Sequence, residues 1–214
     1  AKVIPMLTRR HFVITSAALF SAPLAVPAFA QDAVSFDFDS TVVRHERAGR
    51  NPWGLHDRFM PKRVAHREGL RPGDIHVDPV AKYLYHIQSD GTAIRFGVAV
   101  GRSGMQSPGT FVIRRKEEWP SWTPTANMIR REPHIYARFA GGMAGGPENP
   151  LGARALYLYR GGRDSMLRIH GTPQPWSIGT SASSGCVRLV NDHIIRLYEA
   201  VPLGTRAILH SPWR

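Results

Sequence analysis

The chain holds 214 residues and one cysteine, Cys186, so any nucleophilic thiol chemistry starts there. A thiol attacks as its thiolate, and with an ordinary pKa near 8.5 it is mostly protonated at neutral pH. It therefore needs a base or a positive neighbour. His170 lies sixteen residues upstream, followed by Gly171 and Thr172, and Arg188 lies two residues downstream. The small residues Ser181 to Gly185 lead into the cysteine. They leave the backbone free to turn sharply and to aim successive amides at one point, as an oxyanion hole requires. Each feature has a plainer reading: a free cysteine as a small buried hydrophobe, the glycine as a tight turn, Arg188 as half of a structural ion pair. Trp176 sits between His170 and Cys186, where it is either a cleft residue or turn packing. The other histidines show no HExxH spacing and the chain has no CxxC, so neither metal nor cofactor is expected.

These residues need a scaffold, and the pattern around them is mainly β with one or two helices. Ile75 to Val77 and Tyr83 to Ile87 read as strands, and Asp90-Gly91 as the hairpin turn that leads into a third from Ala93 to Val100. That third strand alternates through Ile94, Phe96, Val98 and Val100. Phe111 to Ile113 follows the Pro108-Gly109 turn as a fourth. Residues 117–152 form an insertion rich in Trp, Pro and Gly, with one short helix from Thr125 to Arg131 closed off by Pro133. A breaker-rich stretch of that length is usually functional when ordered. Ala155 to Tyr159 and Met166 to Ile169 read as strands that deliver His170 at an edge. Asn191 is placed to cap a helix whose stripe is Ile194, Leu197, Tyr198 and Val201, and Ala207 to Leu209 closes the domain as a strand.

The ends of the chain and its charge suggest where this chemistry takes place. From Met6, a start with Arg9 and Arg10 precedes an apolar stretch from Phe12 to Leu24, then Ala28 and Ala30 before Gln31. That layout is a secretory signal, too short in its apolar part to span a bilayer comfortably. The arginine pair fits a twin-arginine address as well as a Sec signal. Residues 1–30 are thus expected to be an export signal with extra leading residues, 31–72 a loosely structured lead-in, 73–210 the catalytic domain and 211–214 a tail. The formal net charge is +12, and +9 remains when Lys2, Arg9 and Arg10 are removed with the signal. Such a surface attracts polyanions, and export argues against nucleic acid. A single cysteine excludes an intrachain disulfide.

The composite run His170-Gly171-Thr172, Gly179, Ser183-Ser184-Gly185-Cys186-Val187-Arg188-Leu189 and Asn191-Asp192 closely resembles the active-site signature of the L,D-transpeptidases. The resemblance extends to Gly104–Phe111, to the Trp-Pro segment Glu118–Thr125 and to Gly145–Gly152, and covers roughly residues 73–210. Papain-like enzymes place Cys before His, and sortases separate the two much further. The resemblance implies a β-sandwich-like catalytic fold and a periplasmic enzyme acting on peptidoglycan stem peptides. Cys186 is then the nucleophile and His170 its proton carrier, oriented by backbone carbonyls. The amides of Ser184, Gly185 and Cys186 hold the oxyanion, and Arg188, Trp176 and Gly171 meet substrate. The acceptor is another stem, a lipoprotein lysine, a D-amino acid or water. One departure is Ser184, where many members carry His. A wall-binding module without chemistry is the alternative from a different functional class.

Overall fold

The computed structural model describes residues 42–44 and 51–212; the expected export signal and the last two residues lie outside that range. Among the described residues ten strands form one sheet: β1 (Val42–Arg44), β2 (Lys62–Ala65), β3 (Ile75–Asp78), β4 (Tyr83–Ile87), β5 (Thr92–Gly97), β6 (Gly109–Glu118), β7 (Arg154–Arg160), β8 (Arg163–His170), β9 (Val187–Arg188) and β10 (Arg206–Leu209). Their order is β1-β2-β5-β4-β3-β10-β6-β7-β8-β9, with β10 parallel to β3 and β9 parallel to β8. The remaining pairs are antiparallel.

The sheet folds over on itself. Just after β5, Ala99 exchanges backbone hydrogen bonds with Arg188, at 3.0 and 2.8 Å, and Gly101 bridges Ser183. The alternation read along residues 93–100 explains this closure. Ile94, Phe96, Val98 and Val100 enter the main core with Ile169, Val187 and Leu189 from the far end of the sheet. One helix, α3 (Asn191–Ala200), seals that core with Ile194 and Leu197, followed by Val201, while Tyr198 packs half-buried against it. Burying side chains of this size contributes about 1.5–3 kcal/mol each, so this stripe fixes the position of the segment that follows Cys186.

Several elements differ from the sequence reading, each for a local reason. Asn191 is the first helical residue and Val190 the cap position; the Asn191 side chain instead accepts the Ala153 N–H at 2.9 Å. Pro133 does not close the insertion's helix α1 (Ala126–Arg131) so much as open a second, α2 (Pro133–Tyr136). A proline at the first turn of a helix lacks only an amide that would be unpaired there anyway. Strand β6 runs on to Glu118 through the charged residues Arg114 to Glu118, whose polarity masked it. The stretch 31–72, expected to be loose, supplies β1 and β2 to the sheet edge and packs Leu55, Phe59 and Met60 beneath Ile178 and Val190. Phe59 presses on Gly97 and Gly179 so closely that a Cβ at either would clash with it. Gly179 is thus needed for this contact as well as for its left-handed φ of +89°. No helix among the described residues is long and apolar enough to cross a membrane.

Candidate active site

Strand periodicity assembles the site. In the parallel pair β8–β9, Ile169 is opposite Val187 and His170 opposite Arg188. Alternation then sends Ile169, Val187 and Leu189 into the core and puts Arg168, His170, Cys186 and Arg188 on the other face. Cys186 precedes β9 and enters this constellation from the turn that the small residues build. Gly185 there has φ +132°, outside the range that side chains readily adopt.

His170 is buried at the end of β8, and its Nδ1 lies 2.6 Å from the carbonyl of Gly171. A carbonyl only accepts, so Nδ1 carries the proton and Nε2 is the basic nitrogen. Burial first, then the Arg188 and Arg168 charges, push the imidazole pKa down to about 3, against the opposing pull of the Gly171 and Leu151 carbonyls. The histidine is therefore a neutral base at physiological pH. Gly171 serves this geometry directly: a Cβ there would strike Asn191 Oδ1 and approach the Ala153 amide to 3.0 Å. The contact that displaces Asn191 from its capping role thus packs the His-Gly step against the start of α3.

Cys186 is half-buried, and its Sγ lies 3.9 Å from the Met166 carbonyl in β8. Burial raises the thiol pKa; the Arg168 backbone amide and the Arg168 and Arg188 charges lower it, and Asp164 adds to the rise. Burial wins. Cys186 thus rests as a thiol and His170 as a neutral imidazole, and Sγ has no hydrogen bond to His170 among the described residues.

The turn amides divide unequally. Gly185 N–H donates to Ser183 Oγ at 3.1 Å, and that hydroxyl donates to the Cys186 carbonyl at 2.5 Å. The Ser184 and Cys186 amides make no hydrogen bond among the described residues. Ser183, named in the sequence only as part of the motif, is thus a scaffold for the turn. Arg188 finds no ion-pair partner among the described residues, and its buried Nε has no acceptor. Its charge faces Tyr136 of α2 and Arg102, and Arg102 is held by a bidentate pair to Glu132 at 3.1 and 2.9 Å. The insertion therefore reaches the site, a role that its breaker-rich composition suggested without showing where. Trp176, on a short 3-10 turn (Pro175–Ser177), is 74% exposed.

Comparison with known proteins gives this geometry a family. The sequence profile of the YkuD type, the L,D-transpeptidase catalytic domain, matches residues 72–209. A probable L,D-transpeptidase ErfK/SrfK of Escherichia coli is 34% identical over 157 residues, 72% of this chain and 49% of the relative. A putative L,D-transpeptidase of Fuscovulum blasticum is 32% identical over 200 residues, covering 92% of this chain and 94% of the relative. A Brucella melitensis crystal structure described as a probable carnitine operon oxidoreductase is 48% identical, covers 72% of this chain and 96% of that one, and superposes with a TM-score of 0.50. The chain spans about half the length of the Escherichia coli relative. With a profile match across the whole catalytic region, this chain belongs to the L,D-transpeptidase catalytic-domain family.

Proposed function

We propose that the chain is an exported peptidoglycan L,D-transpeptidase that works through a thioester on Cys186. The sulfur turns from the Met166 carbonyl toward His170, and Nε2 takes the thiol proton as Sγ attacks. The target is the carbonyl that joins the stem peptide's third residue, a diamino acid, to its terminal D-alanine. The oxyanion rests on the amides of Ser184 and Cys186, with that of Gly185 already spent on Ser183. The C–N bond breaks, His170 returns its proton to the departing D-alanine amine, and the acyl group remains on sulfur. A side-chain amine of a second stem then attacks, loses a proton to His170, and releases the thiol with a new cross-link.

The observation that carries this reading is the register that sets His170 opposite Arg188, two residues after Cys186, with no ion-pair partner for Arg188 and no acceptor for its buried Nε among the described residues. A guanidinium near the thiol with no ion-pair partner among the described residues suits a substrate carboxylate. Such a carboxylate would also offset the charge that depresses His170, so that the base strengthens when substrate is bound. Exposed Trp176 is assigned to the sugar or stem at the cleft mouth. The address is the periplasm, after removal of the segment before Gln31, and the acceptor is an amine of a second stem, of a lipoprotein lysine or of a D-amino acid, with water giving carboxypeptidase activity instead.

Incubating the protein with purified sacculi, then digesting and weighing the muropeptides, tests the reading. New cross-linked dimers are expected. Shortened stems alone would make it a carboxypeptidase, and unchanged material would make it a binding module.

A further inference from the structure

Strand β8 carries a large irregularity directly beside the sulfur. Between the pairs Tyr157–Arg168 and Tyr159–Asp164, β7 has one residue and β8 has three, Ser165, Met166 and Leu167. The bulge is built by side chains. Ser165 Oγ donates to the Leu158 carbonyl at 2.6 Å and accepts the Leu167 N–H at 3.2 Å. Met166 sits at φ +62°, a conformation uncommon for a residue with a side chain, and that side chain is 57% exposed, so core packing does not impose it. What holds Met166 there is Asp164, whose Oδ1 accepts the Met166 N–H at 2.8 Å. The same carboxylate grips Arg168 in a bidentate pair at 2.7 and 2.9 Å, and the Arg168 guanidinium lies 4.1 Å over the Tyr157 ring. Tyr157 is fixed in turn by its hydroxyl on Glu117 at 2.5 Å.

The product of this bracing is the backbone that lines the sulfur. The Met166 carbonyl is 3.9 Å from Sγ, and Leu167 packs against Gly185. We propose that Asp164 is a positioning residue for Cys186: by pinning the bulge at both ends it sets the carbonyl of Met166 and the amide of Arg168 against the sulfur. The inference rests on the reading of Cys186 as the nucleophile. It assigns the Asp164 carboxylate a geometric role that opposes its charge, since a nearby negative charge by itself disfavours a thiolate. The charges facing the sulfur are those of Asp164, Arg168 and Arg188, and Tyr136 and Arg102 stand behind Arg188.

Two substitutions separate the roles. Asp164→Asn removes the charge but keeps an oxygen for the Met166 amide and for one Arg168 N–H; Asp164→Ala removes both. The probe is iodoacetamide, with alkylation of the sole cysteine followed by intact mass from about pH 6 to 9 and melting temperatures recorded alongside. At neutral pH, Asp164→Ala should alkylate on the order of tenfold more slowly than Asp164→Asn, a modest share of what misplacement of a reacting group can cost. Its profile should be displaced to alkaline pH. Adding Met166→Gly to Asp164→Ala should recover most of the loss, because glycine adopts the left-handed conformation without an anchor. Coincident profiles for the Asn and Ala variants would overturn the proposal, as would a loss confined to melting temperature or one that Met166→Gly fails to recover. Release of D-alanine from a tetrapeptide stem by Cys186→Ala would sink the nucleophile reading separately, since alkylation needs no substrate.

Discussion

At the scale of single residues, the proposed mechanism joins a neutral thiol to a neutral imidazole, and that has a definite pH signature. His170, with its pKa pushed to about 3, is already the free base at neutrality, while burial keeps Cys186 protonated. Acylation that proceeds by proton transfer to His170 should therefore vary little from about pH 5 to 8 and fall only in stronger acid. In His170→Ala the thiol depends on its own ionisation. Its rate should then climb with pH by about tenfold per unit, and lie on the order of 10²–10⁴-fold below wild type near neutrality. Adduct formation against pH in the two folded proteins is the measurement, and superimposable curves would remove His170 from the mechanism. The residue types were legible in the sequence, because a lone cysteine inside a glycine turn and a nearby histidine narrow the chemistry sharply. The charge states were not, because they come from burial and from the Arg188 charge that the fold sets near His170 and Cys186.

At the scale of elements, the strands that alternate cleanly could be read and those braced by polar side chains could not. Residues 83–87 and 93–100 advertise their faces, but β6 beyond Ile113 is charged and β8 is interrupted at Met166. Asn191 shows the limit of local rules. It has the right chemistry for a helix cap, yet a partner 38 residues away, the Ala153 amide, takes its oxygen. Asn191→Ala should leave that amide without an acceptor and cost about 1–3 kcal/mol, measured by urea unfolding. Asn191→Asp, which keeps the oxygen, should lose clearly less; equal losses would show that the hydrogen bond is not what matters. The same reasoning applies to Phe59, which fastens residues 51–65 to the glycines at 97 and 179. Phe59→Ala should cost about 3–5 kcal/mol and expose this segment to limited proteolysis before the core opens. A cost below about 1 kcal/mol would mean that the segment is only loosely docked.

At the scale of the whole molecule, buried histidines link stability to acid. His76, His193 and His210 are held near 4 and His170 near 3, with desolvation the largest cause in each; His86 is lowered for the same reason. These folded values lie below the unfolded value near 6.5, so the unfolded chain binds more protons as pH falls. The stabilisation is complete above about pH 6.5 and drains away between there and about pH 4, at up to about 1.4 kcal/mol per pH unit for each group. His76 and His210 share a hydrogen bond at 3.0 Å and titrate as a pair. Melting temperature should therefore fall steadily from pH 7 to 5, before the paired carboxylates such as Asp164 and Glu132 titrate. A flat melting curve over that interval would contradict the burial of these rings. Composition gave the histidine count and the basic charge, but only the fold decides which rings are dry.

The proposed mechanism passes through an acyl-enzyme on one sulfur, and that intermediate can be trapped. Wild type and Cys186→Ala are mixed with a disaccharide-tetrapeptide, quenched in acid and analysed by intact mass and peptide mapping. A thioester confined to the peptide carrying Cys186 is expected, with one D-alanine released per adduct and neither event in the alanine variant. D-Alanine release by Cys186→Ala, or an adduct mapped to any other residue, would contradict it.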